Sequence, residues 1–265
     1  GRPLADLGLG IIGCGHVGSA LAGRAAALGI RTRRNDPPLA AVDPAAAPDS
    51  LAAALACDVV SLHVPLTADG AHPTAGLIDA DAIAALAPGT CLVNAARGGV
   101  VDEAALRARL AGGPPLYAVL DCWVGEPAID AGLLAAVTVG TPHIAGYSLD
   151  ARVRGTAVVY RALADWLGLD CRWPAANLEH LLPAPGLLGG GAGEADARLR
   201  GLILDCYDVR RDAAALAPAR DMATQVRAGL FDRLRREYPP RREFAAHTLL
   251  GRSATPALCR QAAAL

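Results

Sequence analysis

Gly13-Cys14-Gly15-His16-Val17-Gly18 follows the apolar run 9–12 and opens an Ala-rich helical stretch; Asp36 closes the second predicted strand, 18 residues beyond Gly18. A G-x-G-x-x-G loop between strand and helix, with an acid about 20 residues further on, is the spacing of a dinucleotide-binding turn. Gly13 permits the tight turn, Gly15 lets a pyrophosphate approach the backbone, and Gly18 allows helix and strand to pack closely. The amides of His16 and Val17 then face phosphate oxygens at the positive end of the helix dipole. Asp36 is expected to accept hydrogen bonds from the adenosine ribose and to repel a 2′-phosphate, so the expected cofactor is NAD rather than NADP. Arg33 and Arg34 favour the opposite choice, but both precede the acid, and a strand end aims only one of them at the ligand.

Working outward, strands are predicted at 9–12, 30–34, 59–63, 91–94, 116–120 and 137–140, with helices starting near His16, Ser50, Asp79, Asp102 and Asp130. Several of these starts carry the Asp or Ser of an N-cap. The apolar runs lack alternation, as strands do when helices cover both faces of a parallel sheet. The expected fold is α/β, a doubly wound parallel (Rossmann) sheet over residues 1–168 that ends in an amphipathic exit helix at 150–168. A Pro- and Gly-rich linker is read over 169–193 and a smaller α+β domain over 194–265. That domain is expected to hold a strand at 202–205 and a core of Leu202, Ile203, Leu204, Leu230, Phe231 and Leu234.

With 265 residues, 53% of them hydrophobic and 19% charged, the chain is long enough for one large or two ordinary globular domains. A formal net charge of −1 gives no reason to expect a nucleic-acid or anionic-membrane partner. No apolar run approaches the ~20 residues of a membrane helix. Every basic residue is Arg, which removes Lys as a catalytic base. The seven cysteines are odd in number and widely spaced, without a CxxC pair, which argues against disulfides or a zinc site and for a reducing, cytoplasmic setting. The chain opens at Gly1 almost directly on a strand, so a preceding segment is expected in the complete protein.

Arg97 in Asn94-Ala95-Ala96-Arg97-Gly98-Gly99, Glu126 in Gly125-Glu126-Pro127 and His143 in Thr141-Pro142-His143-Ile144 each stand in a segment that leaves a predicted strand. All three should therefore lie at the carboxyl edge of the sheet, where such folds bind ligands. Together they suit hydride removal from a carbon that bears a hydroxyl next to a carboxylate. Arg97 would grip the carboxylate, His143 would take the hydroxyl proton, and Glu126 would orient the imidazole and raise its pKa. Taken singly, each has a structural reading: a loop salt bridge, a helix-start acid, a buried loop histidine.

These segments, with Leu62-His63-Val64-Pro65-Leu66-Thr67 and with Asp121 after Val119-Leu120, resemble the successive signatures of the D-isomer-specific 2-hydroxyacid dehydrogenases across about residues 5–165. The resemblance implies an enzyme with Arg97, Glu126 and His143 as catalytic residues. It implies NAD contacts at Asp36, Val64, the backbone of Ala95, Ala96 and Arg97, and Asp121 near the nicotinamide. Arg97 and His143 would also meet the substrate. Val64 stands where Thr is usual, leaving only a backbone contact.

Narrower features resemble one branch of that family, which acts on a phosphorylated 2-hydroxy acid. They are Asp36-Pro37-Pro38, Gly70-Ala71-His72-Pro73-Thr74, Gly146-Tyr147-Ser148-Leu149, and the tail Phe231-Asp232-Arg233-Leu234-Arg235 with Tyr238-Pro239-Pro240-Arg241-Arg242-Glu243-Phe244. In that branch Gly146 would contact NAD, Tyr147 the substrate, and the tail would form a homodimer, with Phe231 and Leu234 as candidate anchors. A histidine usual after His-Pro-Thr is replaced by Ala75-Gly76. The family's first substrate-domain segment, about ninety residues, would precede Gly1. Three other readings remain at this point: a phosphoglycerate- or glyoxylate-type member of the family, a non-catalytic NAD-sensing regulatory protein, or a fragment of the dehydrogenase that is itself inactive.

Overall fold

A computed structural model of the chain describes residues 2–170, 187–188 and 195–249. Six strands, β1 (Gly8–Ile12), β2 (Arg31–Asn35), β3 (Val59–Leu62), β4 (Cys91–Asn94), β5 (Tyr117–Leu120) and β6 (Val139–Gly140), form one sheet in the order β2-β1-β3-β4-β5-β6. Every pairing is parallel. The order reverses between β1 and β3, which opens a crevice at their carboxyl ends. The strands fall at the predicted places because buried Val, Leu and Ile are packed from both faces. Ile11, Val60, Leu62, Leu92 and Leu120 are essentially inaccessible.

The helices between the strands start at polar caps. After α1 (His16–Ala27) come α2 (Pro37–Val42), α3 (Leu51–Leu55), α4 (Ala80–Ala85), α5 (Glu103–Gly112) and α6 (Ala131–Ala136), capped by Asp36, Ser50, Asp79, Asp102 and Asp130 in turn. Each cap side chain accepts an orphan amide of the first turn. At Asp36 the two following prolines sit where a helix start needs no N–H donor. No side chain caps α1.

By its contacts the chain divides into two compact units that interleave along the sequence, Gly1–His143 with Val209–Arg236, and Ile144–Asp208 with Glu237–Ala263. In the first, α9 (Val209–Leu216), a 3-10 turn (Ala217–Asp221) and α10 (Thr224–Arg236) pack beside α6 and β6. Leu216, Ala219, Leu230 and Phe231 join the same core cluster as Leu120, Trp123 and Leu133, with Leu234 against it. This corrects the predicted core of the C-terminal domain: Leu230, Phe231 and Leu234 serve the first unit. Phe231 is 0% exposed, so it is a core residue rather than a surface anchor for a second copy.

The second unit contains α7 (Leu149–Leu167), capped by Ser148 and ended by Gly168 at φ 65°, then β7 (Leu187–Leu188), α8 (Ala195–Cys206) and β8 (Thr248–Leu249), with β7 and β8 paired in parallel. The strand predicted at 202–205 is instead the last part of α8. Leu199 and Leu202 are both buried at spacing i, i+3, whereas Leu204 is exposed. That is a helical period, which the short window Leu-Ile-Leu-Asp conceals. The linker read over 169–193 lies almost wholly outside the described residues, as do residues 250–265. Among the described residues no helix is long and apolar enough to cross a membrane.

Candidate functional site

The loop after β1 follows its glycines closely. Gly13 has φ 90°, and a Cβ there would meet the His63 backbone at 2.7 Å. A Cβ on Gly18 would stand 1.9 Å from the Gly13 carbonyl, so the first turn of α1 rests directly on the loop. At Gly15 nothing lies within 4 Å of a Cβ position, and Gly15, His16 and Val17 are exposed. The uncapped first-turn amides of α1 thus face open space beside this loop, a fit for an anion.

Asp36 holds the loop and the next helix together. Its Oδ2 accepts from the Cys14 amide (2.8 Å) and its Oδ1 from the Leu39 amide (3.0 Å). Each carboxylate oxygen retains a second acceptor position. A pocket of about 590 Å³ opens here, lined by Gly13, Gly15, Asp36, Pro37, Pro38, His63, Val64, Pro65 and His72 among others. Its size and its largely apolar walls with one acid fit the adenosine half of a dinucleotide. Arg33 is paired with Asp49 (3.0 Å), and Arg34 Nη2 donates to the Ala45 carbonyl (2.9 Å). Both cations are therefore engaged elsewhere, which favours an unphosphorylated ribose.

Arg97, Glu126 and His143 all follow strands at the same carboxyl edge, after β4, β5 and β6. Asn94 shapes the first of these loops, donating from Nδ2 to the Arg97 carbonyl (2.9 Å) and accepting the Ala96 amide (3.1 Å). Ala95 and Arg97 are exposed and Ala96 is buried. The Arg97 guanidinium donates to the Ala96 carbonyl (2.6 Å), and among the described residues it has no carboxylate partner. An exposed, unpaired guanidinium beside the crevice is free to take a carboxylate in two-point fashion.

Glu126 Oε2 lies 2.7 Å from His143 Nδ1. With the carboxylate as acceptor, Nδ1 carries the proton and Nε2 is left as the base. This hydrogen bond raises the His143 pKa above the ordinary imidazole value. Burial opposes it, the charges of Glu126 and Asp121 add to it, and Arg235 of α10 works against it. His143 sits at φ 55°, a left-handed conformation costly for a residue with a Cβ. Asp121 is buried and accepts from Thr141 Oγ1 (2.6 Å). Gly146 and Tyr147 belong to the second unit. There Gly146 is exposed, and the Tyr147 ring packs edge-on to Tyr238 (5.6 Å) with the Arg152 guanidinium 4.6 Å above it.

Cys122, Glu126 and His143 bring three potential ligand atoms within 4.8 Å of one another. Burial, aided by Asp121 and Glu126, pushes the Cys122 thiol up to about 12, and the Glu126–His143 hydrogen bond occupies the nearest donor and acceptor. A protonated thiol and an already engaged imidazole nitrogen fit a cation poorly.

Sequence reasoning missed Glu103, the first residue of α5. Its Oε1 accepts the Val124 amide (2.7 Å) and so braces the loop that carries Glu126. Burial lifts its pKa to about 7, with Asp130 and Glu126 adding to the rise and the Val124 amide opposing it. A folded-state pKa raised above the ordinary 4.5 contributes stability that is full below 4.5 and is lost as pH rises through 7. Glu103→Gln keeps the acceptor without the charge. It should be about 1–2 kcal/mol more stable than the parent at pH 8, a figure reduced for partial exposure, and equal to it near pH 3.5. Thermal unfolding at the two pH values reads this directly; equal differences at both would contradict it.

Residues 1–145 match the family described as D-isomer specific 2-hydroxyacid dehydrogenase, NAD binding domain, and residues 188–262 match a domain of unknown function (DUF3410). The chain is 45% identical over 248 residues to an erythronate-4-phosphate dehydrogenase of Azotobacter vinelandii, covering 92% of this chain and 64% of that protein. A Pseudomonas aeruginosa protein of the same name is 44% identical over 249 residues, with the same coverage of 92% and 64%. The chain thus spans less than two thirds of the length of these relatives. Among solved structures, a D-isomer specific 2-hydroxyacid dehydrogenase from Lactobacillus delbrueckii ssp. bulgaricus in its NAD-complexed form is similar at TM-score 0.53 and 29% identity, over 64% of this chain and 56% of that one.

Proposed function

The chain belongs to the D-isomer specific 2-hydroxyacid dehydrogenase family, and from that premise we propose that it carries the cofactor site and the reacting side chains of an erythronate-4-phosphate dehydrogenase. The reaction is NAD-dependent oxidation of 4-phospho-D-erythronate at C2 to the 2-oxo acid, a step towards pyridoxal phosphate. The observation that carries this reading is the unpaired Arg97 guanidinium at the same sheet edge as the Glu126–His143 pair. A base and a carboxylate grip together are what a 2-hydroxy acid requires.

Gly13, Gly15, His16, Val17 and Gly18 take the pyrophosphate, Asp36 the ribose, and Val64, Ala95, Ala96, Arg97, Asp121 and Gly146 complete the cofactor contacts. Bound there, NAD supplies the two-electron acceptor for the hydride that leaves C2. Arg97 holds the C1 carboxylate and stabilises the oxygen that becomes the carbonyl. His143 Nε2 accepts the C2 hydroxyl proton, and Glu126 stabilises the imidazolium through Nδ1. Tyr147 is proposed as a further substrate contact. The electron pair of the O–H bond becomes the second bond of the carbonyl as the C–H pair departs, so charge and electrons balance.

The same proposal includes a cytoplasmic homodimer. The homodimer rests on the family-like tail segment 238–244, and the cytoplasmic setting on the scattered cysteines, of which Cys14, Cys57, Cys91, Cys122 and Cys206 are free thiols among the described residues. A dimerisation role for the C-terminal part, 194–265, remains part of this reading, although Val209–Arg236 packs with the first unit and not with a separate C-terminal domain.

The complete protein should form NADH from 4-phospho-D-erythronate with a higher kcat/KM than from 3-phospho-D-glycerate or D-lactate. A preference for either of the latter would overturn the substrate assignment. Asp36→Ala should weaken NADH binding by about 1.5–3 kcal/mol, because a charge-assisted hydrogen bond to the ribose is lost. Removal of the cap on α2 would add a stability cost of ~1 kcal/mol. Calorimetric titration separates the two effects, and parent protein that binds NADPH as tightly as NADH would contradict the cofactor assignment.

A further inference from the structure

Trp123 lies three residues past the end of β5 and is 3% exposed. Its groups reach each of the three segments that carry Arg97, Glu126 and His143. The main-chain amide donates to Glu126 Oε1 (2.8 Å), while the other oxygen of that carboxylate holds His143 Nδ1 (2.7 Å). The indole Nε1 donates to the Thr141 carbonyl (2.9 Å), two residues before His143. The far edge of the ring lies against Gly140, where a Cβ would come within 3.0 Å of Cζ2. The Trp123 carbonyl faces Gly98, next to Arg97, so closely that a Cβ there would stand 2.0 Å away.

We propose that Trp123 is a positioning residue for this site, fixing the Arg97, Glu126 and His143 segments to one another through one rigid, buried side chain and its own backbone. The inference rests on the assignment of those three residues as the reacting groups. The geometry explains why the residue is Trp. β5 and β6 are paired neighbours, with Leu120 opposite Gly140, and the ring must cross from one strand end to the next with a donor on its far side. Phe and Leu lack the donor. The acceptor is buried too, since Thr141 is 3% exposed, so loss of the indole N–H leaves a carbonyl without water to replace it. His143, held at a left-handed φ two residues further on, is where that freedom would be felt. Groups that support reacting residues from behind in this way typically matter 10–100-fold for activity.

The test is Trp123→Phe in the complete protein, which keeps a ring and removes the N–H. Its first readout is the titration of His143 followed by NMR of the imidazole, independent of any activity. With the Glu126 contact loosened, the midpoint should fall towards the ordinary imidazole value by about half a unit or more. Asp121 and Arg235 also act on His143 and are unchanged by the substitution. The second readout is kinetic: kcat should fall by about 10–100-fold with the KM for NAD within about twofold. Gly140→Ala, which crowds the ring at Cζ2 and Cη2 as well as the Leu134 side chain, should move His143 in the same direction and serves if Trp123→Phe does not fold. An unchanged His143 midpoint in the folded variant, with only a lower melting temperature, would reduce Trp123 to core filler and overturn the proposal. A shifted midpoint with unchanged kcat would uphold the positioning role and overturn His143 as the base.

Discussion

His143→Ala should lower the turnover of the complete enzyme by roughly 10²–10⁴-fold while leaving NAD affinity almost unchanged. The base is the acceptor for the C2 hydroxyl proton on the proposed mechanism, and water at the same position is a far weaker one. The pH profile carries the same information in a second form. Oxidation needs His143 unprotonated, and the hydrogen bond to Glu126 holds its pKa above the ordinary imidazole value. Activity should therefore rise with pH along a limb displaced upward from that value. Glu126→Gln should move the limb down, because the neutral amide no longer stabilises the imidazolium. Steady-state rates across pH, with NADH affinity measured separately by fluorescence, decide both points. A His143→Ala protein within tenfold of the parent rate would remove the proposed base.

Arg97→Lys should fail nearly as badly, with kcat/KM lower by roughly two or more orders of magnitude. Charge is conserved in this substitution, so a purely electrostatic role would survive it. What is lost is the planar pair of donors that matches a carboxylate, and with it the alignment of C2 towards the base. The parent guanidinium is already turned outward and makes no ion pair among the described residues, so the substitution breaks no internal salt bridge. A small effect on stability with a large effect on kcat/KM is the expected signature. Near-normal kinetics with 4-phospho-D-erythronate would rule out a two-point grip by Arg97.

The parts of this molecule that were legible in its sequence are those whose cause is local. The turn at Gly13, the approach at Gly18 and the acid at Asp36 belong to one short stretch, and the strand–loop–helix context is contiguous with them. The central strands were visible because short apolar runs alternate with Ala-rich segments opened by Asp or Ser, while the edge strand β2, Arg31–Asn35, was placed by the glycine loop and Asp36 on either side of it. The second role of Asp36, capping α2, was written in Asp36-Pro37-Pro38, where two prolines occupy the start of a helix. α8 was misread because four residues were taken out of a longer helical period. α10 was assigned to the wrong core because it packs on α9 and the 3-10 turn, which in turn rest on β6 and α6 some seventy or more residues earlier, and periodicity names a buried face but not the surface that buries it. Trp123 and Glu103 were passed over for a related reason. Their partners are the Thr141 carbonyl and the Val124 amide, and backbone groups leave no trace in a sequence.

The central claim is that C2 of a phosphorylated 2-hydroxy acid gives its hydrogen to NAD while its hydroxyl proton goes to the protein. The most direct measurement uses 4-phospho-D-erythronate deuterated at C2, incubated with the complete protein and NAD and analysed by NMR and mass spectrometry. One deuterium should appear on C4 of the nicotinamide ring for each 2-oxo acid formed, and the chemical step should be slowed with the deuterated substrate. Deuterium released to water, or NADH formed with the C2 label still in the product, would contradict it.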